Sequence, residues 1–295
     1  MKYEQVIEHF IQRELLPSSY LDAAIRWFFP LAEVLKQKHG QFKKPIVCGI
    51  NGCQGSGKST VAGLLVELLR GCFECKSVAI SIDDFYLTAS ERAQLGKDVH
   101  PLLQTRGVPG THDMELATQT LNQLMRNAGQ IMVPRFDKAI DDRFPNSEWT
   151  PTETPIDILI IEGWCLGAIP QDEGALIKPI NELEEKEDPD GQYRRYVNAR
   201  LGAEYAMFFG QVDYWVMLQA PSFDCVYQWR LQQEDKLRRR AGDTSGKKIM
   251  SAEELKRFIQ FYQRITEHTL LTLPSRADWV YELGEDRTVH GIMTR

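Results

Sequence analysis

Residues Gly52-Cys53-Gln54-Gly55-Ser56-Gly57-Lys58-Ser59 fit the pattern G-x-x-x-x-G-K-[ST]. Glycines at this spacing let successive backbone N–H groups turn inward around an anion. Lys58 can then reach the β- and γ-phosphates of a nucleotide, and Ser59 can ligate Mg²⁺. With Thr60 behind them, these residues form the expected nucleotide-binding set. A second group follows in Ser81-Ile82-Asp83-Asp84-Phe85-Tyr86, where two carboxylates close an apolar run. Phosphoryl transfer to a hydroxyl needs a base near the attacking oxygen and carboxylates that help order Mg²⁺. A third group is Ile160-Ile161-Glu162-Gly163-Trp164. An acid placed directly after an apolar strand is suited to face the metal, so Ser59 and Glu162 are the expected metal-side residues. Trp164 either walls a substrate pocket or fills core.

Cationic loops lie between these groups. Arg106-Gly107-Val108-Pro109-Gly110-Thr111-His112-Asp113 is one, and Val133-Pro134-Arg135-Phe136-Asp137-Lys138 with Arg143 is the other. Arginine suits bidentate capture of carboxylate or phosphate. Together with Asp84, Tyr86 and Trp164, the residues Arg106, His112, Arg135, Lys138 and Arg143 suggest a pocket for an anionic acceptor. Farther on, Arg238-Arg239-Arg240 runs into a glycine-containing stretch. It reads as a lid that neutralises the transferring group and excludes water, or as a basic solvated helix end.

These residues need elements to hold them. Pro45–Ile50 is a short apolar run entering the glycines, as a buried parallel strand does. Val61, Leu64, Leu65, Leu68 and Leu69 then fall on one face of a helix that Gly71 is expected to close. Its N-terminus adds partial positive charge at the phosphate site. Four more apolar segments read as strands: 78–82, 156–161, 212–218 and 279–283. Helical stretches fall near 113–127, 193–209 and 251–272, the last with capping-box spacing at Ser251-Ala252-Glu253-Glu254. Strands alternating with helices predict an α/β fold, a mostly parallel sheet covered on both faces with ligands at the strands' carboxyl ends. Residues 134–155 and 182–191 read as exposed loops, the second an acidic solvated excursion. Residues 1–44 read as helical, with an apolar face interrupted at Pro30.

The chain of 295 residues has 43% hydrophobic and 26% charged residues and a formal net charge of −6. That balance argues against a general nucleic-acid partner, since no basic excess exists to neutralise a phosphate backbone. No apolar run approaches a membrane span, and the N-terminus lacks a signal-peptide pattern. Six scattered cysteines, Cys72-x-x-Cys75 among them, read as reduced thiols of a cytoplasmic protein.

The combined motifs resemble the phosphoribulokinase, uridine kinase and pantothenate kinase group of P-loop kinases. Asp83-Asp84-Phe85-Tyr86 is similar to that group's Asp-x-Phe-aromatic, and Glu162-Gly163 to its Glu-Gly. Arg106-Gly107-x-Pro109-x-x-x-Asp113 is similar to its Gly-x-Pro-x-x-x-Asp. The resemblance is most detailed to the D-glycerate 3-kinase family of plants with related fungal and bacterial kinases. It rests on Ile82–Thr88, Val133–Lys138, Glu162–Gly167, Tyr227–Gln232 and the helix start at Met250–Glu254, and runs from about residue 46 to 285. The run Ala139-Ile140-Asp141-Asp142-Arg143 lacks the glycine-containing stretch of the plant enzymes. The resemblance implies a P-loop NTPase fold with a helical lid, in which 1–44 is a helical extension and 45–295 the kinase domain. It implies ATP and Mg²⁺, with Asp83 as catalytic base, Lys58 on the triphosphate, Glu162 on the metal side, and Arg238 and Arg239 in the lid. The expected reaction is transfer of the γ-phosphoryl group to a hydroxyl of a small carboxylate-bearing alcohol, D-glycerate first.

Overall fold

The computed structural model describes residues 2–126, 129–241 and 250–295, with side chains except those of 233–241 and 252. Helices α1 (Tyr3–Glu14), α2 (Tyr20–Ala23) and α3 (Phe29–Phe42) precede β1 (Ile46–Gly52) and α4 (Lys58–Phe73). Next come β2 (Ser77–Ser81), α5 (Ala89–Asp98), α6 (Met114–Arg126), β3 (Gly129–Val133), β4 (Phe136–Asp137) and β5 (Asp142–Arg143). They are followed by β6 (Thr150–Thr154), β7 (Ile158–Gly163), α7 (Glu182–Glu187), α8 (Gln192–Arg200) and α9 (Ala206–Phe209). The last elements are β8 (Tyr214–Gln219), α10 (Phe223–Ala241), α11 (Ala252–Thr272), β9 (Trp279–Leu283) and β10 (Val289–Thr294).

The main sheet has the order β10-β9-β8-β1-β7-β2. All its pairs are parallel except β9 with β10, an antiparallel edge that sequence reading did not find. Because strand side chains alternate between faces, the apolar strands serve two cores at once. Ile46, Cys48, Ile50, Ile158 and Ile160 join the core made with α1, α3 and α4. Val47, Leu159 and Ile161 join the core made with α6, α8, α9 and α11. Burial on both faces is why β1 and β7 read as continuous apolar runs rather than alternating ones.

The first three helices belong to the first core. Val6, Ile7 and Phe10 of α1 and Leu31, Ala32 and Leu35 of α3 pack with Leu64, Leu65 and Leu68 of α4. Pro30 does not interrupt a helix there. It sits in the first turn of α3, where its missing N–H costs no hydrogen bond, and a π-turn over Ala24–Phe28 leads into it. Gly71 does not end α4 either. The helix runs on to Phe73, and Glu74 turns it off in the left-handed conformation. The helical stretch 193–209 is likewise interrupted, by a π-turn over Leu201–Tyr205.

Two stretches expected as plain loops are built structure. Residues 134–155 contain the β4–β5 hairpin and β6, which pairs antiparallel with β3. The acidic run 182–191 is solvated only in part: Glu182–Glu187 form α7, Glu182, Glu185, Glu187 and Asp190 are exposed, and Glu184 and Asp188 are buried. Glu184 takes a bidentate pair from Arg264 of α11, with Nε to Oε1 at 2.7 Å and Nη2 to Oε2 at 2.5 Å. Asp188 accepts the backbone N–H groups of Tyr193 and Arg194 at 2.8 and 3.1 Å and the Arg194 guanidinium at 2.9 Å. Charge is tolerated inside because each carboxylate meets both a counter-charge and hydrogen-bond donors. Among the described residues, no helix is long and apolar enough to cross a membrane.

Asp188→Ala removes a fully buried partner of Arg194 and two acceptors at the start of α8. It is expected to destabilise the fold by about 3–5 kcal/mol, read as a lowered urea midpoint at unchanged slope.

Candidate active site

Three parallel strands end side by side. Ile50 of β1 and Ser81 of β2 both pair with Glu162 of β7. The phosphate loop follows β1 directly and closes on α4. Gly55 takes φ +83° with its back against Trp229, where a Cβ would lie 2.7 Å from the tryptophan Cβ. Gly57 takes φ +90° and caps α4 without a side chain. The first amides of a helix have no intrahelical acceptor, so this end is disposed to hold an anion. Ser56 is buried with its hydroxyl unpartnered, and Gln54 has an unpartnered buried side-chain oxygen. Cys53 is buried in the first core. Asn51, which sequence reading passed over, fixes the ends of β1 and β7 through its side-chain N–H groups to the carbonyls of Trp164 and Leu166, at 3.0 and 2.7 Å. A polar residue closing a buried strand was the available signal.

Glu162 is 6% exposed. The Ser59 hydroxyl donates to its Oε1 at 2.7 Å, and Lys58 Nζ lies 3.8 Å from Oε2, which has no hydrogen-bond partner. Thr60 continues the first turn of α4.

Asp83 and Asp84 sit on a single 3₁₀ turn (Ile82–Phe85) after β2, and they face different groups. Asp83 accepts the Tyr86 hydroxyl on Oδ1 at 2.8 Å and Lys138 Nζ on Oδ2 at 2.7 Å. Burial opposes its ionisation, but Lys138 and Lys58, with the hydrogen bonds from Lys138 and Tyr86, outweigh it. The carboxyl is held well below its ordinary range. Asp84 instead holds Arg135, with Nη1 to Oδ2 at 2.8 Å, and accepts the Phe136 N–H at 3.3 Å. Burial raises its carboxyl above the ordinary value in spite of Arg135.

The remaining acceptor-side cations are brought near this turn, and each has a protein partner. Arg135 Nε also donates to Thr150 Oγ1 at 2.8 Å. Arg143 donates to the Tyr86 carbonyl at 2.9 Å and to Asp113 at 3.3 Å, and its Nε is buried without a partner. Arg106 pairs with Asp141. Arg92 pairs with the same carboxylate at 2.7 Å, and both guanidiniums flank the Phe136 ring at 5.6 and 5.5 Å. Asp141 and Arg92 were given no role from sequence, and Asp113 entered only as a motif residue, because their partners lie 30 to 49 residues away. His112 stacks on Tyr86 with ring centroids 4.4 Å apart. Trp164 fills core: it is buried against Tyr262, and its N–H is used by the Gly107 carbonyl at 3.1 Å. It braces the loop that carries Arg106 and does not line an open pocket. Arg238, Arg239 and Arg240 lie on α10, and their side chains are outside the described residues.

A phosphate loop, a carboxylate facing its serine and lysine, and a second carboxylate held by Lys138 fit the layout of a phosphoryl-transfer site. Comparison with known proteins gives the family. The chain is 33% identical to the chloroplastic D-glycerate 3-kinase of Arabidopsis thaliana over 258 residues, 82% of this chain and 52% of that protein, so it spans about half of that relative's length. It is 35% identical over 228 residues to the kinase mug58 of Schizosaccharomyces pombe, covering 74% of this chain and 79% of that one. The chain belongs to this family of P-loop kinases. The solved D-glycerate 3-kinase of Cryptococcus neoformans var. grubii matches this chain with a TM-score of 0.74 at 25% identity, over 92% of this chain and 99% of that one. No family model matches the chain.

Because Lys138 is the cation in direct contact with Asp83, at 2.7 Å, Lys138→Met is expected to raise the Asp83 pKa. In the wild type, a ¹³C-detected titration of the free protein should show Asp83 ionised below the ordinary carboxylate range. In the variant, protonation should move up toward that range; an unmoved titration would mean that Lys138 does not set it.

Proposed function

We propose that this kinase transfers the γ-phosphoryl group of ATP to a hydroxyl of a small carboxylate-bearing alcohol, and that the acceptor is the 3-hydroxyl of D-glycerate. The observation that carries this reading is the Lys138–Asp83 contact at 2.7 Å. It puts an exposed cation, able to receive a carboxylate, on the same oxygen that would receive a hydroxyl proton.

The phosphate-loop amides and Lys58 hold the triphosphate, and the α4 N-terminus adds its partial charge. The acceptor hydroxyl approaches Asp83 and gives it a hydrogen bond and then its proton. The O–P bond to the acceptor forms as the bond from the γ-phosphorus to the bridging oxygen breaks, and ADP leaves with that electron pair. Such transfers depend on positioning and charge stabilisation more than on a strong base, so a depressed Asp83 is compatible with the role. Ser59 and Glu162 fit Mg²⁺: the unpartnered, buried Oε2 of Glu162 is an oxygen awaiting a cation or its water. Among the described residues no three acidic, His or Cys groups cluster, which suits an ion that keeps waters and phosphate oxygens as ligands. Bound there, Mg²⁺ would neutralise charge on the phosphates. For the acceptor's carboxylate, Lys138 is the best-placed partner, being 60% exposed and held by one contact, with the charge of Arg106 acting on it.

ADP release should rise with D-glycerate and not with uridine, pantothenate or ribulose 5-phosphate. Stimulation by another of these would reassign the acceptor. Asp83→Asn should lower kcat by about a hundredfold or more and leave ATP affinity nearly unchanged. Undiminished turnover would remove Asp83 from its role.

A further inference from the structure

His112 is 5% exposed and its ring is fixed from two sides. Tyr86 stacks on one face, and Tyr205 meets it edge-on at 5.7 Å with its hydroxyl 2.6 Å from Nδ1. That hydroxyl already accepts the Gly110 N–H at 3.0 Å. Its own proton therefore has Nδ1 as acceptor, which leaves the imidazole proton on Nε2. Burial pushes His112 down to about 4, against the pull of Asp83, so the ring is neutral at neutral pH. Nε2 is buried and has no hydrogen-bond partner.

A buried N–H without an acceptor is costly to maintain, and such groups in native structures call for an explanation. The location supplies one. Tyr86, stacked on His112, donates its hydroxyl to Asp83, and the charge of Asp83 acts on the His112 ring, so the imidazole and the candidate base share one neighbour. Tyr205 itself comes from a local irregularity. It closes the π-turn over Leu201–Tyr205, where Ala203 leaves helical geometry at φ −108° and ψ −109°. Single π-turns inside helices are frequent at functional sites because they redirect one side chain.

We propose that His112 is an uncharged donor of the acceptor half-site, giving its Nε2–H to an oxygen of the bound acceptor, and that Tyr205 is the positioning residue that fixes this tautomer. This rests on the acceptor reading above and deepens it. It selects for an acceptor presenting a hydroxyl or carboxylate oxygen at that place and against one presenting an N–H, because two donors facing each other in a dry site leave both unpaired. Sequence alone could not find Tyr205, which meets His112 across 93 residues.

The test joins a spectrum of the free protein to kinetics with D-glycerate. ¹⁵N-histidine NMR should show His112 protonated on Nε2 in the wild type and mixed tautomers in Tyr205→Phe. Tyr205→Phe should raise the KM for D-glycerate about tenfold, the loss of roughly one hydrogen bond, with the KM for ATP unchanged. His112→Gln keeps an N–H near the Nε2 position and should retain most activity. His112→Asn, whose N–H falls near Nδ1, should not. An Nδ1-protonated wild type, equal behaviour of the Gln and Asn variants, or a parallel rise of both KM values in Tyr205→Phe would overturn the proposal. If the wild type releases no ADP with D-glycerate, the acceptor assignment fails, and the tautomer spectra still decide the role of Tyr205.

Discussion

The Glu162 carboxylate, nearly closed off from water at the end of β7, constrains everything around it. A buried anion persists only where counter-charge and donors are supplied. Here they come from the first turn of α4, as the Ser59 hydroxyl on one oxygen and Lys58 facing the other. The site and the fold therefore share one clamp, which ties β7 to α4 across β1. The close approach leaves no room for side chains at its margins. A Cβ on Gly52 would lie 2.5 Å from the Ser56 hydroxyl, and one on Gly163 would lie 2.5 Å from an Ile82 methyl. Both glycines are there for proximity. Gly52 thereby shapes the phosphate loop, and one oxygen of Glu162 is left without a hydrogen-bond partner.

The acceptor side follows a different rule, charge paired against charge. Arg135 faces Asp84, Lys138 faces Asp83, Arg106 and Arg92 face Asp141, and Arg143 faces Asp113. Any anion from outside would compete with one of these internal carboxylates. Exposed pairs contribute little and separate easily, whereas buried pairs are held by the desolvation that breaking them would incur. Lys138 is the most exposed of the cations and has one partner; Arg135 is anchored on both Asp84 and Thr150. The order of exchange is thus set by burial, and Lys138 stands first.

Much of this was legible in the sequence for a simple reason. Phosphate-loop chemistry needs residues adjacent in the chain, and parallel strands buried on both faces announce themselves as apolar runs. The carboxylates after β2 and β7 were found because they interrupt such runs at their ends. What stayed hidden depends on partners far apart in sequence. Glu184 looks like part of a solvated acidic run until Arg264, 80 residues away, is folded onto it. Trp164 was ambiguous because only the tertiary contact with Gly107 decides between pocket and core. β10 was missed because its exposed pattern, with Gly291 inside, lacks a buried face to give it a period.

The β4–β5 hairpin joins these two kinds of information. Its tip, residues 138–141, carries Lys138 and leads into β5. Asp141 sits there at φ +59°, an uncommon conformation for a residue with a side chain. It is held in place because its carboxylate bridges Arg106 and the almost fully buried Arg92. Arg92 is in turn fixed by the carbonyls of Leu87 and Asp141, at 2.9 and 2.8 Å. The hairpin is thereby registered against α5 and not against the phosphate loop. Changes in its tip can move Lys138 and Arg106 relative to Asp83 while leaving Gly52, Lys58, Ser59 and Glu162 where they are. In a chain built this way, a change in the hairpin tip bears on the cations around Asp83 before it bears on Gly52, Lys58, Ser59 and Glu162.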